Sequence, residues 1–287
     1  MQHPWLIAVL LAACGGPTVY DDVVYDARFG GATSMDIYIP EGNAAARPAV
    51  MLIHGGGWRY GDKAAYAEAA ERFATAGYVA ATIDYRLVPA GTYPAAVQDC
   101  LCALSFLRAN AAAYGIDPAR IAVTGYSAGG HLAALVGTGA DVAAHQPDCA
   151  SGPTGAPAAA IPGDSVYDFT ADGNHDSDLV RDFLGGTLEE RPEQYASASP
   201  LLHVRPGAPP FLVVHGRSDV VPIESARQLA GALRAAGGDV RMLELGGAGH
   251  LTSAVTASDG AYLQAATDTP EAWAVQLDFL ARTVGAP

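Results

Sequence analysis

Four short, almost unbroken apolar runs constrain this chain more than any other feature. Residues 49–53, 79–83, 121–124 and 211–214 read AVMLI, VAATI, IAVT and FLVV. Runs this short without polar alternation suit strands buried on both faces, as in parallel sheets covered by helices. Helical stretches separate them. Residues 64–76 are Ala-rich and closed by Gly77, and 94–113, 128–136, 223–236 and 270–284 follow. Residues 158–162 and 240–245 read as further strands, and 23–28 with 35–39 form an alternating pair joined by Gly30-Gly31, the pattern of an antiparallel hairpin. The expectation is an α/β fold: a mostly parallel, eight-stranded, doubly wound sheet flanked by helices on both faces. Residues 164–200 are polar and irregular, with one short helix around 179–184, and are expected to form a small excursion above the sheet.

Composition narrows the function classes. Half of the 287 residues are hydrophobic and only 16% are charged, which excludes a disordered chain. Thirty acidic against sixteen basic residues give a net charge of −14, a surface that repels phosphate backbones, so no nucleic-acid partner is expected.

Residues 5–13 read WLIAVLLAA, too short to span a bilayer but the right length for the apolar region of an export signal. The tetrapeptide Leu11-Ala12-Ala13-Cys14 resembles the lipobox of bacterial lipoproteins. The expectation is a signal peptide over 1–13, lipidation of Cys14 and a single domain over 14–287, with membrane contact only through the lipid anchor. The alternative is an ordinary signal and a periplasmic or secreted product.

Export permits a disulfide. Cys100 shares a helical face with Val97, Leu104 and Leu107, while Cys102 is turned toward the flank. Cys102–Cys149 is therefore the preferred pair, with Cys100 buried and reduced; three free thiols are the alternative. No CxxC pair or His cluster points to zinc, and no metal is expected.

Gly125-Tyr126-Ser127-Ala128-Gly129 matches GxSxG, directly after an apolar strand and at the start of a helix. Such a turn holds a serine hydroxyl at the edge of the sheet, facing a helix N-terminus. His54-Gly55-Gly56-Gly57-Trp58 follows the strand ending at Ile53, and its glycines leave backbone N–H groups free to meet a developing oxyanion. His54 itself is expected to bond within its own loop. A nucleophilic serine needs a base, and the base an orienting acid. Asp219 stands just past strand 211–214 and His250 just past strand 240–245, where catalytic groups of such sheets collect. The order Ser127, Asp219, His250 is that of the nucleophile-elbow hydrolases. His215, His54, His131 and His203 compete for the base, and Asp168 for the acid. Trp58, Tyr126 and Tyr167 either line the pocket or pack in the core.

The motifs HGGGW at 54–58, DYRL at 84–87, YPAAVQD at 93–99, GIDPARIAVTGYSAGGHLA at 115–133, PPFLVVHGRSD at 209–219 and GAGH at 247–250 carry a wider likeness. The chain resembles α/β-hydrolases of the esterase branch that includes hormone-sensitive-lipase-like and feruloyl- or acetyl-xylan-esterase-like enzymes, from about residue 35 to 280. The resemblance implies Ser127 as nucleophile, His250 as general base and Asp219 as its orienter. It implies oxyanion donors at the amides of Gly56, Gly57 and Ala128, with Gly55 a further candidate, and no cofactor. His54 stands only 40 positions after Cys14 and the stretch between reads as strands, so no large cap is expected. The expected activity is hydrolysis of short-chain acyl or acetyl esters, on a small-molecule or carbohydrate-linked substrate, through an acyl-enzyme. A peptidase or aryl-formamidase would use the same triad. A non-catalytic binding lipoprotein is the remaining alternative, disfavoured because only catalysis needs triad and oxyanion loop together. Residues 86–94, 140–157 and 164–200 are expected to set the pocket.

Overall fold

The computed structural model describes residues 16–42, 46–174, 177–246, 249–250 and 269–287. Its strands are β1 (Thr18–Val24), β2 (Ser34–Ile39), β3 (Arg47–Ile53), β4 (Val79–Ile83), β5 (Ile116–Tyr126), β6 (Ala159–Gly163), β7 (Phe211–Gly216) and β8 (Val240–Leu245). They form one eight-stranded sheet in the order β1-β2-β4-β3-β5-β6-β7-β8. Only the pairings of β2, with β1 and with β4, are antiparallel; all others are parallel. The exchange of β3 and β4 brings β3 beside β5, so Ile53 lies level with Gly125. That register sets the HGGG loop next to the GxSxG turn.

The helices are α1 (Ala67–Thr75), α2 (Ala95–Ala109), α3 (Ala111–Tyr114), α4 (Ala128–Gly139), α5 (Asp178–Leu184), α6 (Pro192–Ser197), α7 (Ile223–Ala235) and α8 (Pro270–Thr283). The pleat divides the strand side chains between two cores. Met51, Ile53, Ala81, Ile83 and Val123 face α2, α4 and α7 through Leu101, Leu104, Leu132, Leu135, Leu229 and Leu233. Val50, Leu52, Ala80, Ala122, Ile161, Leu212 and Val214 face α1 and α8 through Phe73, Ala74, Phe279 and Leu280. Burial on both faces is why these strands read as unbroken apolar runs.

Several boundaries differ from expectation. The segment 64–76 opens with a 3-10 turn over Lys63–Tyr66, where the Asp62 carboxylate accepts the Ala64 N–H, before α1 begins. The helix expected over 94–113 breaks at Asn110, which keeps non-helical backbone between α2 and α3 and ties its side-chain amide to Phe106 O. The first strand starts at Thr18 rather than Val23, and the hairpin turn contains a 3-10 turn over Gly30–Thr33. Cys102 and Cys149 are disulfide-bonded, with Cα atoms 5.4 Å apart, and Cys100 is free and buried. Cys102 is buried like Cys100. Cys14 and the segment 1–13 lie outside the described residues.

Candidate active site

The site starts from a strained serine. Ser127 joins β5 to α4 with φ 56° and ψ −128°, a conformation that L-residues with side chains rarely hold. Its N–H donates to Gly163 O at 3.0 Å, and its carbonyl accepts the first bond of α4, from His131 N–H, at 2.9 Å. The turn closes only because Gly129 lacks a side chain: a Cβ there would stand 2.0 Å from Ile53 O. The hydroxyl is thereby lifted off the end of the sheet.

His250 meets it. Its Nε2 lies 3.0 Å from Ser127 Oγ, and its Nδ1 lies 2.8 and 3.1 Å from the two oxygens of Asp219. A carboxylate accepts only, so Nδ1 carries the proton and Nε2 is left to accept from the serine. The Asp219 side chain is fully buried, while His250 keeps 22% of its side chain exposed. Burial pulls the imidazolium down, but the Asp219 hydrogen bond and charge outweigh it, so the His250 pKa is raised above its ordinary value. Asp219 is fixed by its own turn, its Oδ1 accepting the Val221 N–H at 2.6 Å.

The glycine loop lies against this pair. A Cβ on Gly55 would sit 3.4 Å from Ser127 Cβ and 3.0 Å from Tyr126 O, so the loop passes at contact distance from the serine. Gly56 has φ 108° and its carbonyl accepts the N–H groups of Arg59 and Tyr60 at 3.1 and 2.9 Å, which curls the loop. Among the described residues no backbone carbonyl takes the Gly56 or Gly57 N–H. Ala128 is the first residue of α4, where an N–H has no partner within the helix.

The rival residues fall elsewhere. His54 Nδ1 donates to Gly55 O at 2.7 Å and its ring stacks on Tyr85 at 4.3 Å, with burial lowering its pKa. His131 and His203 hydrogen-bond to carbonyls of Ala198 and Ser197. Asp168 accepts from Thr170. Trp58, Tyr126 and Tyr167 are all buried; the Trp58 indole stacks on Phe183 at 4.5 Å and meets His131 edge-on.

Of the segments expected to set the pocket, two converge on the site. A Cβ on Gly57 would stand 2.8 Å from the Leu179 side chain, so α5 roofs the glycine loop, and an Arg59–Asp182 ion pair holds it there. Val88 N–H donates to Trp58 O, and Tyr93 N–H to Phe183 O, knitting 86–94 between loop and roof. Segment 140–157 does something different. It is bonded to α2 and lines a separate cleft of about 290 Å³ with Thr138, Arg205 and Pro209.

One residue beside the site escaped the sequence reading. Asp164, just past β6, is fully buried and bonded to His215 and to the Gly216 N–H. Its signal was positional, a carboxylate directly at a strand's C-terminal end. Asp164, His215 and Asp219 each offer a ligand-type atom within 4.8 Å of the others, but the Asp219 oxygens are engaged by His250 and Val221.

Comparison with known proteins gives the family. The chain is 37% identical over 211 residues to Esterase LipC of Mycobacterium tuberculosis, an alignment covering 71% of this chain and 52% of LipC. It spans about half the length of curated relatives such as this one. A truncated carbohydrate esterase from gut microbiota superposes with a TM-score of 0.78 at 25% identity, covering 94% of this chain and 99% of that one. Thermogutta terrifontis esterase 2 phosphorylated by paraoxon superposes at 0.72 with 26% identity, covering 94% and 95%. Residues 35–233 match the BD-FAE family, a stretch that runs from the hairpin through the glycine loop, the serine turn and Asp219. The chain is an α/β-hydrolase and belongs to the BD-FAE family.

Proposed function

We propose that the protein is a serine carboxylic ester hydrolase acting on short-chain acyl or acetyl esters. One observation carries the reading: the unbroken hydrogen-bond chain Asp219–His250–Ser127 at 2.8 and 3.0 Å, ending where Gly55 of the glycine loop comes up against the serine; the amides of Gly56, Gly57 and Ala128 are the proposed oxyanion donors. The Ser127 oxygen attacks the ester carbonyl while His250 Nε2 takes its proton. The carbonyl oxygen becomes an oxyanion facing the three amides, each worth roughly 3 kcal/mol in the transition state. His250 then gives the proton to the leaving alkoxide, and the alcohol departs from an acyl-serine. Water enters, loses a proton to His250 and releases the acid, returning the proton to Ser127. Asp219 holds the imidazole tautomer and stabilises the imidazolium in both halves. Every step uses groups of the chain and the two substrates alone.

Small acyl groups are favoured because Leu179 and the α5 roof close over the glycine loop, while His250 stays partly open for a larger alcohol. The likeness to a carbohydrate esterase supports a sugar hydroxyl as that alcohol. Rates on p-nitrophenyl esters from acetate to decanoate, and on acetylated xylan, test this. A maximum at two to four acyl carbons is expected, and a preference for decanoate contradicts it. The Leu11–Cys14 tetrapeptide further supports export with a lipid at Cys14. Labelled palmitate should enter the protein and be lost in Cys14→Ser; an unlabelled wild-type chain contradicts the anchor.

A further inference from the structure

Behind the acid lies a second carboxylate–imidazole contact that the reaction above does not use. His215, the last residue but one of β7, has a fully buried side chain; Nε2 is 3.0 Å from Val221 O, and Nδ1 is 3.0 Å from Asp164 Oδ1. Val221 is also the residue whose N–H fixes Asp219 Oδ1. The same peptide stretch is therefore gripped from one side by His215 and from the other grips the acid of the triad.

We propose that Asp164 and His215 share one proton as a neutral acid–imidazole pair, and that this pair positions the Asp219 turn for catalysis. The inference rests on the triad reading of the site. A carbonyl carries no proton, so the hydrogen toward Val221 O belongs to His215 Nε2. A neutral imidazole then presents a bare Nδ1, and the one hydrogen between Nδ1 and Asp164 Oδ1 must come from the carboxyl. Oδ1 can hold that hydrogen and still accept the Gly216 N–H at 2.8 Å. Two features favour this form over an ion pair. Asp164 Oδ2 is buried with no partner among the described residues, a poor place for half of an anion. Burial foremost, and the neighbouring Asp219 charge, raise the Asp164 pKa. The other titratable neighbours are His250, hydrogen-bonded to Asp219, and Tyr167, whose hydroxyl is itself kept protonated by burial. A neutral pair leaves the Asp219 charge undivided for His250.

Asp164→Asn tests the proton directly. Its amide can turn its oxygen to the Gly216 N–H, leaving no hydrogen for Nδ1, or turn its NH2 to Nδ1 and orphan the Gly216 N–H, but not both. In the first orientation His215 keeps the contact only by moving its proton off Nε2 and releasing Val221. The expected result is a kcat lower by roughly ten- to hundredfold with KM within about twofold, as for misplacement of a positioned group. Asp164→Ala leaves Nδ1 free and Nε2–H on Val221, so it should harm kcat less despite the larger cavity. A space-filling role predicts the reverse order and would overturn the proposal. Nitrogen-15 NMR of the wild-type protein should find His215 protonated at Nε2 only; a doubly protonated ring overturns it, whatever the variants do. That spectrum does not depend on activity. Failure of the triad itself would show separately, as absence of a fluorophosphonate adduct on Ser127.

Discussion

Ser127 spends backbone energy to stand where it does. Its positive φ costs of order 1–3 kcal/mol and survives because Gly129 and Gly163 let neighbouring segments close around it. The proposed base must be neutral to accept the serine proton, and the raised pKa of His250 moves the acid limit of activity with it. The logarithm of kcat/KM should therefore fall as pH drops through a value above 6.5, the ordinary histidine figure. A limb centred at or below 6.5 would contradict this. The sign for stability is opposite. The Asp219–His250 pair adds stability in full below about pH 6.5 and loses it as pH rises through the folded-state value. At this scale the three positions were legible because each follows a strand, Ser127 and Asp219 an apolar run and His250 the mixed stretch VRMLEL. Asp164 was not: its importance lies in contacts with His215 and Gly216, more than 50 positions away, which no local pattern records.

The glycine loop and its roof form one working unit. Gly56 combines φ 108° with a Tyr60 carbonyl that a Cβ would approach to 2.0 Å, so Gly56→Ala must open the curl. Displacing an oxyanion donor should lower kcat on p-nitrophenyl acetate by roughly a hundredfold or more, with KM little changed. An unchanged kcat would remove this loop from the mechanism. The elements showed how far pattern reaches. Strands β4 and β8 run over the expected residues: β4 is wholly buried and rich in β-branched side chains, and β8 lies between turn residues at Gly237-Gly238 and Gly246-Gly247 in the sequence. Helix α6 was not anticipated, because PEQYAS offers no apolar periodicity and buries only Tyr195. The break at Asn110 was hidden for a related reason, as alanine-rich sequence on both sides continues the helical composition.

Across the whole molecule, the disulfide joins α2 to the 140–157 segment, over 47 positions of sequence. In the chain-entropy description a loop of that length is worth about 4 kcal/mol. Replacing both Cys102 and Cys149 by serine should lower the calorimetric Tm by several degrees. It should leave kcat within about twofold, because neither sulfur touches the Ser127 cluster. An unchanged Tm would show that the segment is held by other contacts, such as Ser105 Oγ on Gly152 O. The strand order was expected only as a class. That β3 lies between β4 and β5 emerges from the pairings, and this places the glycine loop against the serine. The most direct measurement of the central claim is intact mass and peptide mapping after treatment with a fluorophosphonate. One adduct on Ser127, absent from Ser127→Ala, together with a loss of p-nitrophenyl acetate hydrolysis of roughly 10⁴-fold or more in that variant, is the predicted result. An unmodified Ser127, or a Ser127→Ala protein that keeps most of its activity, would contradict it.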